Sequence, residues 1–262
     1  MRTKKIIKRS IQGVLYVLLN ILDAFFPLQE VSVLVYHSIS SSGDDLSVRP
    51  EVFEEQINFL KRKGYHFATL NEIVSWIKGE GALPHKTVAT TFDDGYADNY
   101  KDAFPLLKKY NVPTTIFTVT NPAGIKRLAP GDISFLNKEQ MEEMSNSGLA
   151  VFQSHSVSHK MLDELNPKNL EDELARGDSV YFAYPGGHYN DAAIIAVRLA
   201  GYEAAFSIKP GLVHIGDEVF MVRRNVILGS MSLFDFKVRA SKAIDWYTRL
   251  AFFLKKLFCL KI

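Results

Sequence analysis

Two neighbouring carboxylates are the first residues of this sequence whose types point to chemistry. Asp93 and Asp94 follow the apolar, β-branched run of residues 87–92. Like charges at adjacent positions repel, and each carboxylate costs free energy to bury, so the pair needs either solvent or a compensating cation. Because Gly95 comes next and Asp-Gly is a common turn signal, the pair taken alone is typical of a solvated turn.

A pair of histidines changes that interpretation. His155 and His159 are four residues apart, a spacing that in a helical turn brings two imidazoles to one metal ion. Ser156 stands where a zincin protease has its glutamate, which argues against that class of protease. Two histidines at this spacing are more often surface or core residues than ligands. Together with Asp94, however, they form a three-ligand site with open positions for water, and Asp93 is then free to accept a proton from that water.

The remaining candidate residues would complete a hydrolytic site. His214 is the candidate proton donor to a leaving group, although alone it is equally well explained as an ordinary loop histidine. His37 and Tyr96 are candidates for the pocket wall. A turn-like stretch offers backbone N–H groups that could meet a developing oxyanion, although without this context it is simply a turn. This stretch consists of Tyr184, Pro185, Gly186 and Gly187.

The elements that must position these residues follow a repeated strand-helix order. Residues 137–148, for example, form an amphipathic pattern with Asn137 as the candidate helix cap and Gly148 at its end. A repeated strand-helix order predicts a parallel sheet, and the number of units favours a (β/α) barrel over an open sheet. The predicted strands lie near residues 31–37, 86–95, 112–120, 149–155, 179–187, 202–208 and 219–228.

The polar candidates occupy the places where such a fold performs chemistry. Parallel strands of barrels and open α/β sheets present functional side chains at their carboxyl ends. Asp93 and Asp94 close one predicted strand, His155 closes another, Pro185 follows a third, and His37 ends the first. We therefore expect residues that are far apart in the sequence to be neighbours in space.

Four short stretches, in this order, carry a resemblance to a known family. They are TFDDGY at 91–96, HSVSH at 155–159, YPGG at 184–187 and LVH at 212–214. This series resembles the motifs of polysaccharide deacetylases with a NodB-homology domain, carbohydrate esterase family 4. The resemblance implies a distorted (β/α) barrel of seven or eight parallel strands, one divalent metal ion, commonly zinc, and removal of N-acetyl or sometimes O-acetyl groups from sugars.

The resemblance also implies a role for each matching residue. By position, Asp93 is the general base and His214 the general acid, while Asp94, His155 and His159 hold the metal. The strings VYHSIS at 35–40 and FAYPGG at 182–187 are similar to the branch that acts on exported polymers like poly-N-acetylglucosamine. We therefore predict a metal-dependent carbohydrate de-N-acetylase whose partner is an N-acetylated glycan.

The chain departs from the family pattern in its third motif. Ala183 stands where the family usually has an arginine that orients the catalytic aspartate, which leaves Asp93 without an obvious partner. Arg223 or Arg224 could reach Asp93 from the last strand instead. Gly186 replaces the usual aromatic residue, so we expect a wider pocket.

A second departure is the short helical connection within residues 166–177, where relatives tend to have a longer helix. These differences leave alternatives open. One is a sugar-binding relative that has lost catalysis, and another is a deacylase of a lipid-linked sugar. A 2-His-1-carboxylate iron oxygenase has the same kinds of ligand, but it has no use for a second, adjacent aspartate.

The composition excludes several classes of protein. Hydrophobic residues make up 47% and charged residues 23% of the chain, as in ordinary globular proteins, so neither disorder nor a multi-spanning membrane protein is indicated. The net charge of +2 and the absence of a central basic stripe argue against a nucleic-acid partner. The single cysteine, Cys259, cannot form an intrachain disulfide.

The two ends differ from the middle, which predicts three regions: residues 1–29, a deacetylase domain at 30–240, and residues 241–262. Residues 1–10 carry five positive charges and precede an apolar segment that could be a signal anchor. A polar stripe at helical spacing favours an interfacial amphipathic helix, and the C-terminal segment is also basic and amphipathic, or else packs on the core. The stripe comprises Lys5, Lys8, Gln12, Tyr16, Asn20 and Asp23.

We therefore expect both ends to contact a membrane surface and the protein to be membrane-associated. The positive N-terminus favours the extracytoplasmic face of a bacterial envelope if the first helix spans the bilayer. A helix lying in the plane of the membrane would leave the cytoplasmic face open.

Overall fold

The structure is a computed structural model and describes residues 13, 29–122, 134–175 and 177–249 of the 262-residue chain. The strands are β1 (Glu30–Tyr36), β2 (Ser38–Ile39), β3 (Ser47–Val48), β4 (His66–Phe67), β5 (Lys86–Phe92), β6 (Thr114–Thr118), β7 (Ala150–Ser154), β8 (Tyr181–Ala183), β9 (Ala204–Phe206) and β10 (Asn225–Val226).

Helices connect most of the strands. The α-helices are α1 (Pro50–Arg62), α2 (Leu70–Ile77), α3 (Phe104–Tyr110), α4 (Lys138–Asn146), α5 (Pro167–Glu173), α6 (Asp191–Leu199) and α7 (Leu233–Ala240). A π-helical turn (Asn99–Ala103) precedes α3, short 3₁₀ turns cover Leu162–Glu164, Pro185–Gly187 and Val219–Met221, and residues 243–249 are helical.

The main sheet is parallel and curls into a barrel. Its strands run in the order β10, β1, β5, β6, β7, β8, β9, and β4 pairs with the first half of β5. Val222 forms a parallel bridge with Phe206 in β9, and three residues later the same segment pairs with β1 as β10. This segment joins the two edges of the sheet. The predicted distorted (β/α) barrel of seven or eight parallel strands is therefore confirmed.

Local sequence signals set the boundaries of α4 at the predicted residues. Asn137 caps α4 through a capping box in which its side chain accepts from Gln140 N, and Gly148 follows the helix with a left-handed φ of +73°. The capping box at the start of α2, formed by Thr69 and Glu72, belongs to a helix that the sequence patterns did not predict.

An aromatic cluster fixes the carboxyl ends of β1 and β5. The rings of Tyr36, Phe53 and Phe92 contact one another at centroid distances of 5.0 to 5.9 Å, and all three side chains are inaccessible to solvent. Tyr36 and Phe92 are paired in the sheet and immediately precede His37 and Asp93. The packed rings therefore present these two polar residues at the same level of the barrel mouth.

The terminal segments fall mostly outside the described residues. The predicted interfacial helix of residues 1–29 lies outside them except for residues 13 and 29, and only 241–249 of the predicted C-terminal helix is described. In the part of the chain that the structure describes, no helix combines the length and apolar character needed to cross a bilayer.

Asn225 should make a large contribution to stability, because it ties the closing segment to its neighbours. Its buried amide donates to Ser32 Oγ and to the Gly211 carbonyl oxygen, and its Oδ1 accepts from Gly211 N. We expect Asn225→Ala to lower the free energy of unfolding by at least about 2 kcal/mol, since each buried polar group left without a partner costs about 1–3 kcal/mol. Urea denaturation checks this, and Asn169→Ala, at an exposed position of α5, should have little effect.

Candidate active site

The turn after β5 directs two carboxylates into the barrel mouth. Asp93 N donates to Tyr36 O at 2.9 Å, and Asp94 and Gly95 then adopt left-handed φ values of +71° and +76°. A Cβ on Gly95 would lie 2.9 Å from the Thr118 side chain, so only glycine fits here. Asp93 and Asp94 are only 2% and 5% exposed, which rules out a solvated turn.

The loop that carries the two histidines is not helical. Residues 155–159 follow β7, and Ser156 and His159 have left-handed φ values of +67° and +59°. Ser156 Oγ accepts a hydrogen bond from His159 N at 2.9 Å and stabilises this tight loop. The prediction of a helical turn is therefore wrong. His155 and His159 come together because Ser156 and His159 adopt left-handed backbone conformations that fold the loop back on itself.

Asp94, His155 and His159 converge on one point. The Nε2 atoms of His155 and His159 lie 3.5 and 3.3 Å from the same Asp94 carboxylate oxygen, Oδ1, and one ligand atom from each residue lies within 4.8 Å of the others. This arrangement has the ligand types and compactness of a site for a divalent cation.

The hydrogen bonding of this cluster tests whether a cation fits. His155 Nδ1 lies 2.8 Å from the carbonyl oxygen of Ala183, which can only accept, so Nδ1 carries the proton and the lone pair of Nε2 faces Asp94. Asp94 Oδ1 is buried and has no hydrogen-bond donor among the described residues. His155 Nε2 and Asp94 Oδ1 are therefore two acceptors that face each other with no proton between them. A metal ion bound between them would satisfy both.

The ionisation of His155 is consistent with a ligand role. Burial lowers the pKa of His155, although the negative charges of Asp93 and Asp94 act in the opposite direction. The imidazole is therefore neutral, which metal binding requires.

Asp93 has a different partner from Asp94. Both oxygens of Asp93 accept from the guanidinium of Arg224 at 2.7 Å, and Arg224 is completely buried. Arg224 also donates to Ser207 O and to Thr91 Oγ1. Burial alone would raise the pKa of Asp93, but the charges of Arg224, His155 and His37, together with the Arg224 hydrogen bonds, lower it to about 2. Of the two arginines considered from the sequence, Arg224 is the one that contacts Asp93.

Arg223 points elsewhere. It lies beside Gly211, and its charge helps to lower the pKa of Asp245, against the effect of burial. The alternation of side-chain directions in an extended segment explains why these two adjacent arginines have different partners.

His37 lies near Asp93. It follows β1, and its positive form would help to lower the pKa of Asp93. Asn99 Nδ2 donates to the His37 carbonyl oxygen at 2.8 Å, and Asp98 accepts from Ser38 and from Ile39 N, so the π-helical turn fixes this part of the chain. The buried Nδ1 of His37 has no hydrogen-bond partner within the described ranges.

His214 does not lie with these residues. Val213 N donates to Val31 O, near the start of β1, which places His214 at the amino end of the barrel, about five residues or about 16 Å from the level of Asp93. There His214 Nε2 lies 3.3 Å from Asp245 Oδ2, and this interaction raises its pKa. The expectation that His214 closes a strand beside the metal ligands is therefore not met, because its segment returns to the opposite end of the sheet.

Most backbone N–H groups of residues 184–187, the stretch expected to supply oxyanion donors, already donate hydrogen bonds within the protein. Tyr184 N donates to Phe206 O, Gly187 N donates to Tyr184 O, and Pro185 has no N–H. This leaves the N–H of Gly186 as the candidate donor in this stretch. The Tyr184 ring is buried, and its hydroxyl donates to Phe220 O, so Tyr184 supports the strand rather than facing substrate.

Gly186 does not widen the pocket as expected. The Sδ and Cε atoms of Met161 lie 2.8 Å from the position that a Cβ on Gly186 would take, so a methionine fills the space beside this glycine. Tyr96, expected in the pocket wall, is buried and stacks on Phe135. No sequence pattern singled out Met161, because its position depends on the loop that follows His159.

Sequence similarity links this chain to known proteins. The family model described as Polysaccharide deacetylase matches residues 80–205. YxkH of Bacillus subtilis (strain 168), named as a polysaccharide deacetylase, is 32% identical over 213 residues, which cover 78% of this chain and 73% of YxkH. The poly-beta-1,6-N-acetyl-D-glucosamine N-deacetylase of Staphylococcus epidermidis is 32% identical over 181 residues, 62% of each chain.

Solved structures show the same likeness. IcaB from Ammonifex degensii superposes with a TM-score of 0.72 at 28% identity, covering 81% of this chain and 98% of IcaB. The Streptococcus pyogenes deacetylase PplD, solved in complex with acetate, superposes with a TM-score of 0.69, also at 28% identity and the same coverage of the two chains.

The pairing of Arg224 with Asp93 should make stability depend on pH in a defined direction. Arg224→Met leaves a buried carboxylate uncompensated, so we expect a loss of about 3–5 kcal/mol at pH 7. The pKa of Asp93 is about 2 in the folded protein, below its ordinary value of 3.8. The stabilisation is therefore present above about pH 4 and is lost as the pH falls toward 2.

Urea denaturation of the wild type and of Arg224→Met at pH 7 and pH 3 checks this difference. Asp93→Asn/Arg224→Met should lose less stability than the sum of the single variants. Arg62→Met, at an exposed position of α1, should stay within about 0.5 kcal/mol of the wild type. An Arg224→Met effect that does not change between the two pH values would contradict the assignment.

Proposed function

Because this chain belongs to the polysaccharide deacetylase family, we propose that it is a metal-dependent de-N-acetylase that removes acetyl groups from an N-acetylated glycan. The observation that carries the proposal is the convergence of His155 and His159 on one oxygen of Asp94, next to a second carboxylate that Arg224 keeps ionised. A binding protein has no evident use for that second buried charge.

We assign the cation, most simply zinc, to Asp94, His155 and His159. When bound there, the cation would polarise the acetamide carbonyl and make a water molecule more acidic. Asp93 lies at the edge of this cluster, with Oδ2 3.9 Å from His155 Nε2. Its carboxylate is the proposed acceptor of the proton of the attacking water, and with a pKa of about 2 it is ionised throughout the neutral range. Gly186 N–H is the proposed backbone donor to the developing oxyanion.

His37 is the proposed proton donor to the departing amine, in place of His214. Its position at the carboxyl end of β1, level with Asp93, and its influence on the pKa of Asp93 support this role. His214 is held by Asp245 at the other end of the barrel.

The proposed substrate is a polymer of N-acetylglucosamine type. The named activity of the Staphylococcus epidermidis relative supports this class, as do the strings at 35–40 and 182–187. A lipid-linked N-acetylated sugar is the variant favoured by the basic, apolar ends, which we propose to contact a membrane at the extracytoplasmic face of a bacterial envelope. The alternative of an inactive sugar-binding relative was suggested mainly by Ala183, which cannot pair with Asp93. Because Arg224 pairs with Asp93 instead, this alternative is less well supported.

Acetate release from oligomers of β-1,6-linked N-acetylglucosamine, before and after chelation and with zinc restored, tests the activity. Asp93→Asn should keep zinc and lose at least about 100-fold in rate, since general-base catalysis contributes about 10²–10⁴-fold. His155→Ala should lose both zinc and activity. Chelator-insensitive turnover, or full activity in Asp93→Asn, would refute the assignment.

A comparison of two histidine variants tests the proton donor. His37→Ala should lower kcat by about 10²-fold or more while zinc stays bound, because the amine then leaves unprotonated. His214→Ala should retain kcat within a few fold and instead lower stability, since it breaks the interaction with Asp245. The opposite pattern would return the acid role to His214.

A further inference from the structure

The loop between the two histidine ligands is held from outside by a single carboxylate. Glu173, the last residue of α5, is only 3% exposed. Its side chain accepts hydrogen bonds from both the backbone N–H and the hydroxyl of Ser158, and Lys160 Nζ lies 3.2 Å away. Its own carbonyl oxygen accepts from Val157 N. Two positions of the loop, and the residue that follows His159, are thus tied to Glu173.

This loop needs such support because its backbone is strained. A non-glycine residue in the left-handed region costs roughly 1–2 kcal/mol, and Ser156 and His159 both adopt it. The other side of the loop is held by backbone bonds from Thr120 N to Ser156 O and from Asn121 N to Val157 O. Glu173 supplies the corresponding attachment on the α5 side.

The two histidines differ in how their rings are fixed. His155 is oriented by the Ala183 carbonyl, as ligand histidines usually are by a second partner. In the described part of the chain, the ring nitrogens of His159 have no hydrogen-bond or ion-pair partner beyond Asp94. The ring also lies edge-on to that of His155, with 5.0 Å between centroids, and the side chain is 22% exposed. The orientation of His159 therefore depends on its backbone, and so on the contacts of Ser156 and Ser158.

Glu173 also remains charged. Burial alone would raise its pKa, but the hydrogen bonds from Ser158 and Lys160 outweigh burial and lower it. Hydrogen bonds to an ionised carboxylate are stronger than neutral ones, which makes this anchor stiff. The connection between β7 and β8 is short, and α5 therefore ends at Glu173, where this residue contacts the histidine loop.

We propose that Glu173 is a positioning residue that holds His159 in place and thereby sets the affinity of the Asp94, His155 and His159 site for its cation. The proposal rests on the proposed metal centre but not on the identity of the substrate. It assigns a role in metal binding to α5, whose Leu170 also packs in the core.

The test is the zinc dissociation constant of the full chain, measured by competition with a chromophoric chelator. Glu173→Ala should weaken zinc binding about 10–100-fold, the usual effect of removing a group that orients a metal ligand. Glu173→Gln, which keeps an acceptor for Ser158 N, should weaken it less. Glu171→Ala removes an exposed carboxylate from the same helix and should leave zinc affinity unchanged.

Two further variants separate positioning from general stability. In a His159→Ala background, Glu173→Gln should cause no additional loss of zinc affinity, because the ligand through which it acts is gone. Ser158→Ala removes only the hydroxyl contact to the carboxylate, so it should weaken zinc binding several fold even if Glu173→Ala does not fold. Zinc affinity within twofold of the wild type in both Ser158→Ala and Glu173→Gln overturns the proposal.

The same measurements distinguish this inference from the proposed activity. A wild-type protein that binds zinc but releases no acetate contradicts the deacetylase proposal and leaves the role of Glu173 standing. Variants that bind zinc normally contradict the role of Glu173 and leave the deacetylase proposal standing.

Discussion

The candidate site depends on how the barrel accommodates two carboxylates buried side by side. Adjacent negative charges in a low-dielectric interior are stable only if each has its own compensation. The protein separates them: Asp93 is held in a bidentate pair by Arg224, whereas a left-handed backbone turns Asp94 toward the Nε2 atoms of two imidazoles. One carboxylate is thus neutralised by the fold, and the other is left for a cation. This division gives the two aspartates different chemistry.

The same interaction couples the site to the closure of the barrel. Arg224 lies between Val222, which pairs with β9, and β10, which pairs with β1, and it is 131 residues away from Asp93 in the sequence. Its guanidinium reaches the mouth only when this segment joins the two edges of the sheet. The buried ion pair contributes stability only in the closed barrel, because either partner alone would be an uncompensated charge. The contact between Arg224 and Asp93 therefore requires the closing segment to be in place.

At two positions where the chain departs from the usual family motifs, residues from elsewhere in the sequence occupy the corresponding space. Ala183 lacks the expected arginine side chain, yet its carbonyl orients His155 while Arg224 supplies the missing charge. Gly186 lacks the expected aromatic ring, and Met161 fills that space from the loop after His159. The side chain beside Gly186 is therefore a methionine, which is flexible and polarisable rather than a flat ring.

The sequence by itself determined the strand-helix order, the caps at Asn137 and Gly148, and the residues of the metal cluster, because these depend on local patterns and on the rule that parallel strands place their ends together. It did not predict α2, although Thr69 and Glu72 form a capping box there, nor the non-helical backbone of residues 155–159. Only the tertiary structure decided which arginine meets Asp93, that His37 rather than His214 lies at its level, and that Glu173 reaches the histidine loop. These contacts join residues that are separated in the sequence. They depend on the end of the barrel to which each connecting segment returns, and local sequence patterns do not encode that.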